Sequence, residues 1–177
     1  MNKQKVIESI LLYAIKYSKN TFPSVNIAQF CLETGWGTSK IFLEANNGFG
    51  IKAREGEQSK DFETSEDLSN QEFTQITAGF KVYDSVEESF YDHQEFFTST
   101  PWRTKNYQPV INAKNAYEQC RALSETGYAT DSLYANKLMN IIDAYDLTKY
   151  DTQPSQDTDG KPDNVAIMPD GTRIVFQ

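Results

Sequence analysis

Residues 23–35 constrain the fold of this 177-residue chain more than any other stretch. Pro23 opens the segment, and Gly35 closes it. Proline suits the first turn of a helix and glycine its left-handed cap. Between them Val25, Ala28, Gln29 and Leu32 mark one side, and Ile27, Phe30 and Cys31 another. A helix that is apolar around most of its circumference is a buried one. The rest of the chain is therefore expected to pack about this helix.

Other helices follow from 3–4 spacing of apolar residues. Residues 3–18 form an amphipathic pattern through Val6, Ile7, Ile10, Leu11, Ala14 and Ile15. Residues 39–45 predict a short helix. Asp84 with Glu87, and Ser85 with Glu88, both have capping-box spacing at the head of a helix that runs to about Phe97. Pro101 and Pro109 bracket a loop or short turn. Residues 115–125 read as helical, with Gly127 after them. Thr130 or Asp131 caps a last helix, with Leu133, Tyr134, Leu138, Met139, Ile141, Ile142 and Tyr145 facing inward.

Helical periodicity lapses between Asn46 and Lys81. Asn46-Asn47-Gly48 and Gly50 are turn signals. Residues 55–72 carry seven acidic groups against one base, Lys60. Residues 73–80 and 81–83 are β-branched, aromatic and alternating, which predicts strands. A small extended lobe is thus inserted among helices. After Tyr150 a polar stretch leads to 165–168 and 172–176, which read as a β-hairpin around Pro169-Asp170-Gly171. A lone hairpin is marginal in water, so it docks on the body or begins a further domain.

The formal net charge of −8 lacks the basic footprint of a nucleic-acid binder. No run approaches the ~20 apolar residues of a membrane span. The polar start Met1-Asn2-Lys3-Gln4-Lys5 is unlike a signal peptide. Cys31 and Cys120 lie in apolar periodic segments and read as buried free thiols, with one disulfide as the alternative. One histidine, His93, and two cysteines do not make a four-ligand zinc site. His93 reads as a helix-surface residue. A Cys31–His93 peptidase pair is disfavoured because Cys31 sits mid-helix, away from the helix N-terminus that lowers a thiol pKa. Residues 157–163 have the composition of a calcium loop without its ligand pattern, and read as linker.

Chemistry concentrates at Glu33-Thr34-Gly35-Trp36-Gly37. A carboxylate in the last turn of an apolar helix meets the negative end of the helix dipole, an unfavourable contact of ~0.3–1 kcal/mol. Apolar surroundings also favour its protonated form. Such a group can serve as a general acid near neutral pH. The glycines beside it leave room for a polymer, and Trp36 offers a face for a sugar ring or an apolar plug beneath the site.

Four ordered blocks now carry a resemblance: residues 23–39, Asn47-Gly48-Phe49-Gly50-Ile51-Lys52, residues 80–89, and Gly127-Tyr128-Ala129-Thr130-Asp131 with Tyr134-Ala135-Asn136-Lys137-Leu138. Together they resemble the glucosaminidases of glycoside hydrolase family 73, which include bacterial autolysins and phage wall-lytic modules. The resemblance implies a predominantly α (α+β) fold, a lysozyme-like helical domain over 1–149. A β-lobe at about 46–83 would flank the cleft, and 150–177 would be linker plus hairpin. It implies hydrolysis of the β-1,4 bond after N-acetylglucosamine in the peptidoglycan glycan strand, without cofactor or metal. The expected place of action is the cell wall, extracellular or phage-associated, with a phage particle or a wall-binding module as partner. Gly48 departs from the family pattern, in which a bulkier apolar residue usually stands.

By the same resemblance Glu33 is the general acid. Glu66, in Thr64-Ser65-Glu66, matches a second carboxylate that activates water or steadies the oxocarbenium-like charge, with Glu63, Asp67 and Glu72 as rivals. Tyr128 would hold the acetamido group or the reacting water. Gln29, Trp36, Asn47 and Phe49 are expected at the saccharide site. Inversion and attack by the substrate's own acetamido oxygen both remain open. So do a lytic transglycosylase or muramidase on the same glycan, and a non-catalytic wall-binding virion module.

Overall fold

The computed structural model describes residues 2–68, 72–151, 165–167 and 173–175, with side chains for 2–63 and 77–151. In chain order the elements are α1 (Lys3–Lys16), α2 (Pro23–Glu33), α3 (Lys40–Ala45), β1 (Ser59–Leu68), β2 (Glu72–Lys81), α4 (Val86–Phe96), α5 (Pro101–Asn106), α6 (Gln108–Ile111), α7 (Ala116–Glu125) and α8 (Tyr134–Ala144). A 3₁₀ turn (Leu147–Tyr150) follows, then β3 (Val165–Ile167) paired antiparallel with β4 (Arg173–Val175).

Helix α2 is the axis of the fold, touching α1, α7, α8 and the 3₁₀ turn. All residues from Pro23 to Cys31 are buried, polar ones included. Each buried polar group needs a partner, because an unpaired one costs the desolvation of its dipole. Asn26 donates to the carbonyls of Ala14 (3.2 Å) and Tyr17 (2.7 Å) and accepts from Gln94 Nε2 (3.0 Å) and from Thr21 Oγ1. One side chain thus locks α1, α2 and α4 together. Phe22 precedes α2 and gives it no side-chain cap. Asp151 supplies the anion instead: its carboxylate accepts from Ser24 N (2.8 Å) and Ser24 Oγ (2.6 Å). A negative charge at this end also complements the helix dipole.

Strands β1 and β2 form an antiparallel hairpin in register from Ser59↔Lys81 to Leu68↔Glu72. Its base carries a small second core in which Ala45, Phe62 and Phe80 are buried under Ile41, Ala78 and Val82. Lys81 Nζ lies between Glu57 Oε1 (2.9 Å) and Asp92 Oδ2 (3.0 Å), tying the lobe to α4. Tyr83 donates to the same Asp92 oxygen at 2.7 Å.

Four sequence expectations need correction. The last helix begins at Tyr134 with no side-chain cap from Thr130 or Asp131, and Leu133 before it is exposed rather than inward. Residues 101–111 are two short helices, not a loop. Each proline sits in a first turn, where its missing N–H is not needed, and Thr100 Oγ1 caps α5 through Arg103 N at 3.1 Å. A strand at 59–68, read only as an acidic stretch, is half of the lobe. His93 is not on the surface: it is fully buried and stacked on Phe49, ring centroids 3.9 Å apart and planes 8° from parallel. Burial pushes its pKa down to about 3, so it is a neutral ring in an aromatic cluster with Phe97 and Tyr128. Cys31 and Cys120 are free and buried, with both thiols pushed up to about 12 by burial.

Candidate active site

Glu33 is the last residue of α2. Behind it the chain turns through three successive left-handed residues, Gly35 (φ 54°), Trp36 (φ 62°) and Gly37 (φ 81°). A bulky residue at positive φ is uncommon. Trp36 is held there by its amide's bond to Cys31 O (2.8 Å), by Tyr145 (centroids 5.1 Å) and by Lys3 Nζ, 4.5 Å above the indole. The turn ends the helix sharply and leaves the Glu33 side chain in a cleft of about 660 Å³. The cleft walls come from α2, residues 49–54, Phe96, Arg103, the turn after α7, and α8.

Glu33 Oε1 accepts a hydrogen bond from Tyr134 OH at 3.0 Å, and that hydroxyl accepts from Gln29 Nε2 at 3.1 Å. Gln29 is one helical turn before Glu33, and Tyr134 is the first residue of α8. Oε2 accepts no hydrogen bond among the described residues and lies beside Gly50, where an added Cβ would come within 3.8 Å. By surface area Glu33 is exposed, because it faces the open cleft. The same carboxyl is nevertheless crowded by protein atoms, and this burial raises its pKa above the usual carboxylate value, with the Tyr134 hydrogen bond pulling it back. Its exposed surface faces a walled cleft rather than bulk solvent. The helix C-terminus acts in the same direction as burial.

Tyr128 lines the cleft and stacks on Tyr134 (5.9 Å, 29°) and Phe97 (5.8 Å, 18°). Burial and the neighbouring Glu33 charge hold both tyrosines well above the ordinary phenol pKa, so each remains a hydrogen-bond donor at neutral pH.

The other expected contacts fall differently. Trp36 is not among the cleft residues; packed on Tyr145 under Lys3, it is the apolar plug. Asn47 is 1% exposed and spends its amide inside the fold. Its Nδ2 donates to Ile51 O and Lys81 O, both at 2.9 Å, and its Oδ1 accepts from Phe49 N and Ile51 N. It shapes the entry to the lobe and has no donor left for a sugar. Gln29 is wholly buried and reaches the site through Tyr134. Phe49 borders the cleft while its ring is buried between Phe30, Phe90 and His93. Glu66 sits on β1 opposite Thr74, but its side chain lies outside the described residues, as do those of Asp67 and Glu72. Glu63 is exposed.

Sequence reasoning missed Tyr134 as the partner of Glu33, because its spacing with Leu138 and Ile142 reads as core. It also missed Arg54, Arg103, Asp131 and Lys137 in the cleft lining. Among the described residues no group of three or more His, Cys, Asp or Glu side chains could hold a metal, and no helix is long and apolar enough to cross a membrane.

Residues 11–147 match the family model Glucosaminidase, described as mannosyl-glycoprotein endo-beta-N-acetylglucosaminidase. The chain is 40% identical over 152 residues to the exo-glucosaminidase LytG of Bacillus subtilis, covering 84% of this chain and 54% of that one. It is 35% identical over 145 residues to an autolysin of Enterococcus faecalis, covering 80% of this chain and 20% of that one. It thus spans about half of the first relative and a fifth of the second. Among solved structures, the catalytic domain of the autolysin Auto from Listeria monocytogenes superposes with a TM-score of 0.74 at 35% identity, over 84% of this chain and 87% of that one. A glycoside hydrolase domain of FlgJ from Salmonella typhimurium gives 0.65 at 30% identity, over 82% and 99%.

Proposed function

The chain belongs to the glucosaminidases of glycoside hydrolase family 73 and has their lysozyme-like fold, and from that premise we propose that it hydrolyses the β-1,4 bond after N-acetylglucosamine in bacterial peptidoglycan, with Glu33 as general acid. The observation that carries this reading is the Gln29–Tyr134–Glu33 relay at the cleft wall. Gln29 fixes the tyrosine hydroxyl as a donor to Oε1. The acid proton then belongs on Oε2, beside Gly50, where the cleft is open. That proton goes to the glycosidic oxygen as its bond to the anomeric carbon breaks. The oxocarbenium-like carbon needs a partner on its opposite face, either a water deprotonated by Glu66 or the substrate's own acetamido oxygen. Tyr128, a neutral phenol in the same cleft, donates to that acetamido group or water. No step calls for a cofactor. The net charge of −8 gives little attraction to an anionic wall, so a wall-binding module or a phage particle supplies attachment.

Digestion of purified peptidoglycan with mass spectrometry of the products tests the reading. New reducing ends at N-acetylglucosamine are expected, and Glu33→Gln should abolish them. Products ending in 1,6-anhydro sugars would replace hydrolysis by transglycosylation, and equal clearing by wild type and Glu33→Gln would remove Glu33 from the mechanism. Glu66→Gln should cost about 10²-fold or more in kcat if Glu66 is a general base. A wild-type rate would leave the acetamido route.

A further inference from the structure

The cleft contains a pair of guanidinium groups that the mechanism above does not use. Arg54, at the entry to the lobe, and Arg103, on α5, both line the cleft. Both donate to one oxygen, Ser99 Oγ: Arg54 Nη2 at 3.2 Å and Arg103 Nη1 at 3.0 Å. Arg103 also sits over Phe96, its Cζ 4.0 Å from the ring centroid, a cation–π contact that helps hold the guanidinium in place. Two like charges on one hydroxyl repel each other. Burial and the Arg54 charge hold the Arg103 pKa below its ordinary value, and the group stays cationic all the same.

What sets the pair apart is that no carboxylate among the described residues forms a salt bridge with it; the acids whose charges reach it, Glu57 and Asp92, are both held by Lys81. The sequence has 25 acidic residues and 17 basic ones, so carboxylates are plentiful. Lys137 in the same cleft is paired with Asp131. Among the described residues neither Arg54 nor Arg103 forms a salt bridge, and Ser99 takes only part of their hydrogen-bonding capacity, since a guanidinium has five N–H donors. Two planar forks converging in an open cleft match the two oxygens of a carboxylate.

The geometry points to a carboxylate-binding subsite formed by Arg54 and Arg103, which reads the acidic substituent of the muramic acid unit in the bound strand. This rests on the peptidoglycan reading, because the alternating sugar of that polymer carries a 3-O-lactyl group. In strands stripped of peptide the lactyl carboxylate is free. In strands that keep their peptides the lactyl group is an amide, and the carboxylates belong to the peptide. Both present the same chemistry to the arginines.

The test uses three soluble glycan strands: peptide-bearing, peptide-stripped, and peptide-stripped with the lactyl carboxylates converted to neutral methyl amides. For the wild-type chain, kcat/KM on at least one anionic strand should exceed that on the neutral strand by about tenfold or more, as expected for charge-assisted contacts. In Arg54→Gln/Arg103→Gln this ratio should collapse toward one, and rising salt should erode it in the wild type. Arg54→Gln alone, an exposed substitution, should show part of the collapse, and Arg54→Lys/Arg103→Lys should recover part of it. Preference for the stripped strand assigns the lactyl carboxylate, and preference for the peptide-bearing strand assigns the peptide. A wild-type ratio near one, or a ratio unchanged in the double glutamine variant, overturns the subsite while leaving the glycosidase reading intact. A wild type that cleaves none of the strands defeats the glycosidase reading. Calorimetric binding of the anionic and neutral strands to Glu33→Gln, with and without the arginine substitutions, then decides the subsite separately.

Discussion

Tyr134 and Glu33 stand 101 residues apart in sequence and meet at 3.0 Å, the hydroxyl of one donating to the carboxylate of the other. That bond favours the ionised carboxylate, against the burial that favours the acid. Tyr134→Phe should therefore move the alkaline limb of the pH profile of kcat/KM upward, because Glu33 then keeps its proton to higher pH. The same variant should lower kcat by about tenfold or more through loss of orientation. A profile that stays in place would mean the bond does not govern the acid's titration.

Glu33 should also weaken the fold that holds it. Its pKa is raised in the folded chain, so the unfolded chain releases this proton first. The contribution to stability is whole below the unfolded carboxylate pKa and is lost as pH rises through the folded one. Glu33→Gln should therefore raise the thermal midpoint at pH 7 and leave it nearly unchanged at pH 4. Thermal unfolding of both proteins across that range checks the sign.

Gly48 has no room for a side chain. A Cβ there would lie 2.6 Å from Phe30 Cδ2, and the Gly48 amide donates to Ser89 Oγ at 2.9 Å. Phe30 fills this space, stacked on Phe90 (5.5 Å) and edge-on to Phe42 (5.1 Å). Gly48→Ala should cost about 1–3 kcal/mol in urea unfolding, the usual range for overpacking a core.

His93 should be silent where histidines normally titrate. Its imidazole NMR signals should not shift between pH 5 and 8, because its folded pKa is about 3. The unfolded chain takes up that proton below about 6.5, so stability should fall as pH drops from there toward 3. His93→Phe should flatten that slope.

Helix α2 could be read from the sequence because its apolar residues cover most of the circumference, and Glu33 because an acid at such a helix end is out of place. Strand β1 was obscured by its own composition: Asp61 and Glu63 flank Phe62, and acids are poor strand formers, yet among the strand's described side chains only Phe62 joins the small core. Helices α5 and α6 were hidden behind prolines that begin helices as readily as they end them. Trp36, just after the acid, and Asn47, in the turn that leads to the lobe, are turned inward by tertiary contacts that no local pattern contains. His93 is a polar residue on an amphipathic helix, and its burial comes from tertiary contacts such as the Phe49 ring stacked on it, which no local pattern contains.

The carboxylate of Asp151 has a practical consequence. It serves as the missing cap of α2, holding both the amide and the hydroxyl of Ser24, 127 residues earlier in the chain. An expression fragment trimmed just after the 3₁₀ turn would keep every described residue that borders the cleft and still leave those two groups bare in the interior. The shortest fragment able to melt like the intact protein should run through position 151.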